Sequence, residues 1–315
     1  MAASGGTKAV IAALLANTGI AVLKFLAWLL TGASAMLAES VHSVADAGNQ
    51  ALLLLGGRRA ERKATPEHPF GYGRVRYIYA FIVAIVLFTL GGLFALYEAW
   101  HKYSEIRAGH PNELLESRWW WVPIVVLLGA IVMEIFSFRT AIRESNRIRG
   151  KASWVRFVRR AKAPELPVVL LEDLGALIGL VLALIGVGMS LITHNAYWDA
   201  GGTAAIGLLL CCIAVVLAVE MSSLLVGEGA TEEQVLAIEQ ALAAGDDIER
   251  VVHLRTLHLG PDDLLVAAKI AVTSAQSGGQ IADAINAAEA RVRAAVPLAK
   301  TIYLEPDLYH AEVVE

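Results

Sequence analysis

The chain has 315 residues, 57% of which are hydrophobic, and its mean hydropathy of +0.57 is well above that of ordinary soluble domains. The formal net charge is −4, and no basic stripe interleaved with aromatic residues marks a soluble module, which speaks against nucleic-acid binding. Because the apolar residues form long runs, the sequence predicts a polytopic protein in a lipid bilayer with no nucleic-acid partner.

Six stretches contain about 20 predominantly apolar residues each, enough to cross a bilayer. The predicted spans are Ala9–Leu30, Ala35–Gly57, Tyr77–Trp100, Trp119–Ile142, Leu166–Ile192 and Ala200–Val226. Lysine and arginine crowd the loops after the second and fourth spans, which the positive-inside rule places in the cytoplasm. We therefore expect both termini in the cytoplasm. The lack of an Arg- and Ser-rich leader favours a bacterial inner membrane.

The second span carries a polar face within its apolar run. Steps of three, four and three residues separate Glu39, His42, Asp46 and Asn49. In a helix this spacing places the four side chains on one stripe, which lipid would not tolerate, so a polar site inside a helix bundle is expected. The i,i+4 pair His42 and Asp46 brings an imidazole nitrogen and a carboxylate oxygen to one point, which suits a divalent cation.

The fifth span contributes Glu172 and Asp173, in the run VVLLEDLGALIGL. Adjacent helix positions point about 100° apart, so the two carboxylates face different neighbours. Asp173 with His42 and Asp46 would supply three ligands that Zn²⁺ accepts, with the fourth position left to water or another carboxylate. The alternative is a structural hydrogen-bond network between the helices.

Several further polar residues are weaker candidates. Glu39 is a possible ligand, a group that orients His42, or a charge at the entrance of the site. Asn17 and Asn49 are candidates for hydrogen bonds between helices. Glu134, in the fourth span, is either a buried partner of an arginine or a metal ligand.

The composition changes after Gly229. Thr231 and Gln234 form a predicted capping box, and the order of elements is helix, strand, strand, helix, strand. The predicted elements run to Ala244 and over Val251–Leu259, Leu264–Val272, Gln280–Ala295 and Thr301–Leu304. We predict a six-helix transmembrane domain over residues 1–228 and a small α+β ferredoxin-like cytoplasmic domain over residues 229–315. Because so small a domain has a limited core, we expect it to pair with a second copy.

The span-two pattern SAMLAESVHSVAD, the loop motif HPFGYGR, the six spans and the α-β-β-α-β tail together resemble the cation diffusion facilitator family, the zinc-transporter superfamily. The LLED stretch resembles the subgroup of zinc transporter nine. The resemblance implies a homodimeric divalent-metal/proton antiporter, with Zn²⁺ as transported substrate rather than cofactor, and not an enzyme. His42, Asp46 and Asp173 match three of the four usual transport ligands.

The chain departs from the family pattern at the fourth ligand, which falls on Val169. Glu172, Glu39 or water must then complete the site. In the tail, Val252, Lys269 and Tyr303 stand where the family has regulatory zinc ligands. His253 and His258 remain weak candidates, so we expect poor or absent metal binding there. In the loop, His68 is retained as a candidate, but Tyr72 stands where a second histidine can occur.

The implied mechanism follows from linkage. Metal ligands must be deprotonated, so metal binding expels protons, and histidine titrates near neutral pH. If the site faces each side of the membrane in turn, an inward proton gradient would then drive metal out of the cytoplasm. The alternatives are an exporter of Mn²⁺, Fe²⁺ or Co²⁺, a metal-binding scaffold that does not transport, and a membrane metalloenzyme, for which no His-Glu-x-x-His motif occurs.

Overall fold

The computed structural model describes residues 2–31, 34–109, 118–272 and 274–308. Contacts between residues divide the chain into two compact units. The helical unit comprises the residues up to Arg59 together with Arg76–Ser222. The α/β unit comprises Ala60–Val75 and the chain from Ser223 onward.

The helical unit contains long helices joined by short connections. They are α1 (Ala2–Thr31), α2 (Ser34–Ala60), α3 (Val75–Arg107), α4 (Val122–Arg149), a short α5 (Trp154–Arg160), α6 (Glu165–Thr193) and α7 (Tyr197–Val226). Among the described residues, five of these helices are long and apolar enough to cross a membrane: α1, α3, α4, α6 and α7. The unit is therefore a helical membrane domain.

The helix α2 differs from the expectation of six apolar spans. It forms over Ser34–Ala60 and so encloses the predicted span Ala35–Gly57, but it is not counted among the helices apolar enough to cross a membrane. The polar face that carries His42, Asp46, Asn49 and Gln50 interrupts its apolar run. Within the described residues the count of apolar spans is thus five rather than six.

Helix α3 is interrupted by a π-helical segment, Leu87–Leu93, that contains two glycines. A Cβ atom at Gly92 would overlap the sulfur of Cys211 on α7, and one at Gly91 would lie 3.8 Å from Cε1 of His42. The glycines therefore let α3 approach α7 closely beside the His42 ring. Such π-helical segments occur often at functional sites.

Contacts at the helix ends define two opposite ends of the helical unit. At one end Arg76 pairs with Glu165 at 2.7 Å, and a Cβ at Gly6 would lie 3.5 Å from the Glu165 Cβ. At the other end Lys102 pairs with Asp199 at 2.9 Å. The starts of α1, α3 and α6 therefore lie together, away from the start of α7.

Small residues line the contacts between the long helices. Helix α4 packs against both α1 and α6. Buried alanines on these and neighbouring helices include Ala13, Ala80, Ala130 and Ala141, each 0% exposed. Small side chains allow helix backbones to approach closely, which supplies packing energy where lipid removes the hydrophobic drive for association.

The α/β unit has the predicted order of elements. They are α8 (Glu232–Ala243), β1 (Arg250–Gly260), β2 (Asp263–Ala271), α9 (Gly278–Ala295) and β3 (Thr301–Asp307). The sheet order is β1-β2-β3, with β1 antiparallel and β3 parallel to β2. The helical membrane domain is thus followed by a small domain with a three-stranded sheet, and its assignment to the ferredoxin-like fold stays a prediction.

Local sequence signals explain why these elements form. Thr231 accepts a hydrogen bond from the backbone N–H of Gln234, and Ser277 caps α9 through Gln280 in the same way. Alternate residues of β2 turn into a core of apolar side chains from both helices and the sheet. That core includes Ile238, Leu242, Leu264, Val266, Ile270 and Val292, all 0% exposed.

The basic loop after α2 packs within the α/β unit, a contact that no local sequence pattern indicated. A Cβ at Gly73 would lie 2.6 Å from the carbonyl oxygen of Leu259, and one at Gly260 would lie 2.8 Å from the Gly73 Cα. Two glycines therefore permit this backbone contact. The predicted boundary at residues 228/229 stays a prediction, and the division by contacts differs from it by including Ala60–Val75.

Candidate functional site

A cavity of about 210 Å³ lies inside the helical unit. Polar residues from α1, α2, α3, α4, α6 and α7 line it, and those from α1, α2, α4 and α6 include Asn17, His42, Asp46, Glu134, Glu172 and Asp173. Four of these residues are acidic. Helices that are distant in sequence thus bring the polar residues of the two predicted spans to one place.

His42 and Asp46 form the expected pair on one face of α2. The His42 Nε2 lies 3.8 Å from the Asp46 Oδ2. Their side chains are 24% and 20% exposed, so both are accessible from the cavity rather than sealed in the protein. The i,i+4 spacing therefore produces the predicted juxtaposition of imidazole and carboxylate.

Asp173 is buried on α6 at 1% exposure. Its Oδ2 accepts a hydrogen bond of 2.7 Å from the Ser137 hydroxyl on α4. Its Oδ1 has no hydrogen-bond partner among the residues that the structure describes. Asp173 thus has one oxygen fixed by a neighbour and one oxygen available to a ligand.

Glu172 has both carboxylate oxygens engaged. Oε1 accepts from the Asn49 Nδ2 at 2.8 Å, and Oε2 accepts from the Gln50 Nε2 at 2.7 Å. The Gln50 Oε1 in turn accepts from the Asn17 Nδ2 at 3.3 Å. This network joins α1, α2 and α6, so Glu172, Asn17 and Asn49 hold helices together.

Two of these partners, Ser137 and Gln50, were not singled out from the sequence. Gln50 directly follows Asn49 in an otherwise apolar run, which is a signal that could have marked it. Ser137 stands three residues after Glu134, on the same face of α4, but an isolated serine in an apolar helix carries little information of its own.

Glu134 on α4 is also buried, at 1% exposure. Neither of its carboxylate oxygens has a hydrogen-bond partner among the described residues, arginines included. Of the two interpretations that the sequence left open for Glu134, a hydrogen bond to an arginine is not formed within that part of the chain.

Two further expectations concern the fourth ligand. Val169 is completely buried and offers no donor atom. Glu39 lies on α2, but its side chain falls outside the part of the chain that is described. Among the described side chains, no three of the types His, Cys, Asp and Glu stand close enough to hold one metal ion. Binding by this set therefore requires side chains or helices to move together.

Three of the described histidines lie in the α/β unit. His68 is exposed, stacks on Tyr72 with ring centroids 4.6 Å apart, and donates its backbone N–H to the Thr65 hydroxyl. His258 is 1% exposed, with its Nδ1 3.3 Å from the Gly260 carbonyl oxygen. His253 is exposed on β1.

Comparison with known proteins defines the class. Residues 10–226 match the family model for the cation efflux transmembrane domain, and the chain belongs to the cation efflux family. This confirms the resemblance inferred from the sequence motifs.

Among its relatives are two animal proteins named proton-coupled zinc antiporter SLC30A9, mitochondrial. The chain is 30% identical to that of Xenopus laevis over 269 residues, covering 84% of this chain and 46% of the relative. It is 29% identical to the Homo sapiens protein over 258 residues, which covers 81% of this chain and 44% of the relative. It is also 26% identical over 265 residues to metal tolerance protein C4 of Arabidopsis thaliana, covering 84% and 56%. The chain thus spans about half the length of these curated relatives.

Proposed function

We propose that this protein is a divalent-metal/proton antiporter that exports metal from the cytoplasm by alternating access, with Zn²⁺ as its preferred substrate. The observation that carries the proposal is that His42, Asp46 and Asp173 line the same cavity. These residues come from two helices of a bundle with five apolar spans among the described residues. The animal relatives, which are named proton-coupled zinc antiporters, support both the metal and the proton coupling.

The donor set explains how protons couple to metal. A metal ion binds imidazole and carboxylate groups only in their deprotonated forms, so each binding event releases protons. The Asp173 Oδ1, which lacks a hydrogen-bond partner among the described residues, is the oxygen we assign to the metal. The Ser137 hydroxyl on the other oxygen fixes the orientation of the carboxylate.

We assign Glu172 a positioning role rather than a place in the ligand set. Its two oxygens already accept hydrogen bonds from Asn49 and Gln50 on α2. These bonds hold α2 against α6, which sets the separation between His42 and Asp46 on one helix and Asp173 on the other. A change in this contact would open or close the site.

We also propose that α2 is a sixth span. Its 27 residues extend about 40 Å at about 1.5 Å per residue, longer than a hydrocarbon core of about 30 Å. Its polar face lines the cavity, which is where intramembrane ionisable groups are tolerated. The bundle would then have six spans with both termini in the cytoplasm, and the α/β unit would pair two copies of the chain.

Two parts of the proposal have named alternatives. Six carboxylate residues line the cavity, and such oxygen-rich linings favour Mn²⁺, Fe²⁺ or Co²⁺ more than an imidazole-rich site does. A bacterial inner membrane remains the predicted location, although the animal relatives are named as mitochondrial.

The direct test is Zn²⁺ flux into proteoliposomes under an imposed pH gradient. Wild type is compared with Asp46→Asn and Asp173→Asn, and Glu144→Gln on α4 serves as a matched control because its carboxylate pairs with Arg147 at 2.8 Å. We expect gradient-driven flux in wild type and control and its loss in both aspartate variants. If Mn²⁺, Fe²⁺ or Co²⁺ is transported instead, the proposed substrate is wrong. If no metal is transported, the protein is better described as a metal-binding scaffold.

A further inference from the structure

Glu134 is a buried carboxylate at the cavity to which the site described above gives no role. We propose that Glu134 is the fourth ligand of the transported metal, in place of the residue that Val169 cannot supply. The inference rests on the proposed function and names one more residue of the same site.

The proposed site lacks a fourth metal ligand. Zn²⁺ in proteins is usually held by four donors, and His42, Asp46 and Asp173 provide three. Val169, one turn before Asp173 on α6, is 0% exposed and has an apolar side chain. The missing donor must therefore come from another helix or from water.

Glu134 also accepts no hydrogen bond from any described residue. It is 1% exposed, and both of its oxygens lack a hydrogen-bond partner within that set. Lys24 lines the same cavity from α1, yet it donates a hydrogen bond to neither oxygen. Buried carboxylates are kept when they are paired or when they bind a metal.

The position of Glu134 on α4 also favours ligation. Ser137, three residues after Glu134 on α4, donates to the Asp173 Oδ2 at 2.7 Å. Residues three apart lie on the same face of a helix, so the face of α4 that carries Glu134 is turned toward Asp173. Both carboxylates line the cavity onto which His42 and Asp46 also open.

Glu172 is the competing carboxylate. Its two oxygens are held at 2.8 and 2.7 Å by the amides of Asn49 and Gln50, so ligation would break existing hydrogen bonds. Ligation by Glu134 would break none within the described residues. The resulting set of one imidazole and three carboxylates is rich in oxygen and would accept Mn²⁺, Fe²⁺ and Co²⁺ beside Zn²⁺.

The first experiment measures Zn²⁺ affinity of the purified full-length protein by competition with a chelating dye at constant pH. Glu134→Gln preserves shape and removes the ligand charge. Glu144→Gln is the control, because Glu144 is a buried carboxylate of the same helix whose oxygens accept from Arg147. We expect Glu134→Gln to weaken Zn²⁺ binding by about tenfold or more and the control to stay within about twofold of wild type.

The second experiment detects ligation directly. In Glu134→Cys, X-ray absorption at the zinc edge should show a sulfur neighbour at about 2.3 Å in place of one of the oxygen or nitrogen neighbours at about 2.0–2.1 Å. Wild type and Glu144→Cys, which share the native Cys211 and Cys212, should show no such change. This signature does not depend on transport activity.

Two outcomes separate the inference from the proposed function. If Glu134→Gln binds Zn²⁺ as wild type does while His42→Ala does not, and no sulfur neighbour appears in Glu134→Cys, then Glu134 is not a ligand and the three-residue site stands. If His42→Ala and Asp173→Asn also bind Zn²⁺ normally, the proposed site itself is wrong.

Discussion

The two units of this protein bury different kinds of side chain. In the α/β unit the core is built from apolar residues such as Ile238, Leu264 and Ile270. In the helical unit Glu134, Glu172 and Asp173 are almost as completely buried, at 1–4% exposure. Burying an apolar side chain is favourable, so the α/β core stabilises its unit, whereas burying carboxylates is costly, as the proposed binding role of the acidic cavity would explain.

The two units also satisfy polar groups differently. In the α/β unit, Thr231 and Ser277 cap their own helices through partners three residues away. In the helical unit, the partners of Glu172 and Asp173 lie on other helices. A shift of one helix would therefore change the hydrogen bonds of the cavity but not those of the caps, which suits a bundle that changes conformation.

The largest expected effect is on transport. Asp173→Asn should lower Zn²⁺ flux into proteoliposomes by at least about 100-fold, because it removes a charged ligand. The same change should leave the thermal unfolding midpoint within about 3 °C of wild type, because a buried carboxylate with one unpaired oxygen contributes little stability. Flux and unfolding are measured on the same preparation.

If Asp173→Asn unfolded the protein, the proposed difference in role between the apolar core and the acidic cavity would be wrong. The cavity would then be a structural hydrogen-bond network, which is the alternative that the sequence left open. Ser137→Ala provides an intermediate case, since it removes the hydrogen bond to Asp173 while keeping the ligand charge. We expect it to lower flux less than Asp173→Asn does.

The second prediction concerns the apolar core. Ile270→Ala, at a position with 0% exposure, should lower the free energy of unfolding of the α/β unit by about 3 kcal/mol. Zn²⁺ affinity of the cavity should not change. Denaturant unfolding of the full chain measures the first quantity, and Leu236→Ala, at 57% exposure on α8, is the control with an expected effect below about 0.5 kcal/mol.

The sequence was most informative where signals are local. The capping box at Thr231 correctly marked the start of α8, and the predicted break between Leu259 and Leu264 correctly separated β1 from β2. In the helical unit the spacing of His42 and Asp46 predicted their shared face correctly. These features depend only on residues within one or two turns of each other.

Features that depend on packing were not predictable in the same way. The hydrogen bond from Ser137 to Asp173 joins residues 36 positions apart, and that from Asn49 to Glu172 spans 123 positions. The contact of Gly73 with Gly260 likewise joins a loop to a distant strand. Periodicity shows which face of an element is polar but does not identify the partner helix.

The third prediction concerns a cap. Thr231→Ala should lower the free energy of unfolding of the α/β unit by about 1 kcal/mol, because the first turn of α8 loses the hydrogen bond to the Gln234 N–H. Thr231→Ser keeps the hydroxyl and should restore nearly all of the loss. Equal destabilisation by alanine and serine would show that the methyl group, not the cap, is responsible. Zn²⁺ flux should be unchanged in both variants.

The smallest expected effect is a change with pH. Lys269 on β2 pairs with Asp307 at 2.8 Å and with Glu305 at 3.4 Å on β3, and hydrogen bonds to these carboxylates raise the pKa of Lys269. A raised folded-state pKa contributes stability below the unfolded pKa of about 10.4 and loses it as the pH rises through the folded value. Wild type should therefore unfold at a slightly higher temperature than Lys269→Met at pH 8. The two should converge once the pH exceeds the raised folded-state pKa of Lys269, where the ammonium is lost. A difference that persisted at high pH would assign the effect to packing of the lysine stem on the sheet.

Because this ion pair is exposed and the acidic cavity is buried, added salt should reduce the difference between wild type and Lys269→Met while leaving Zn²⁺ affinity at constant pH far less affected.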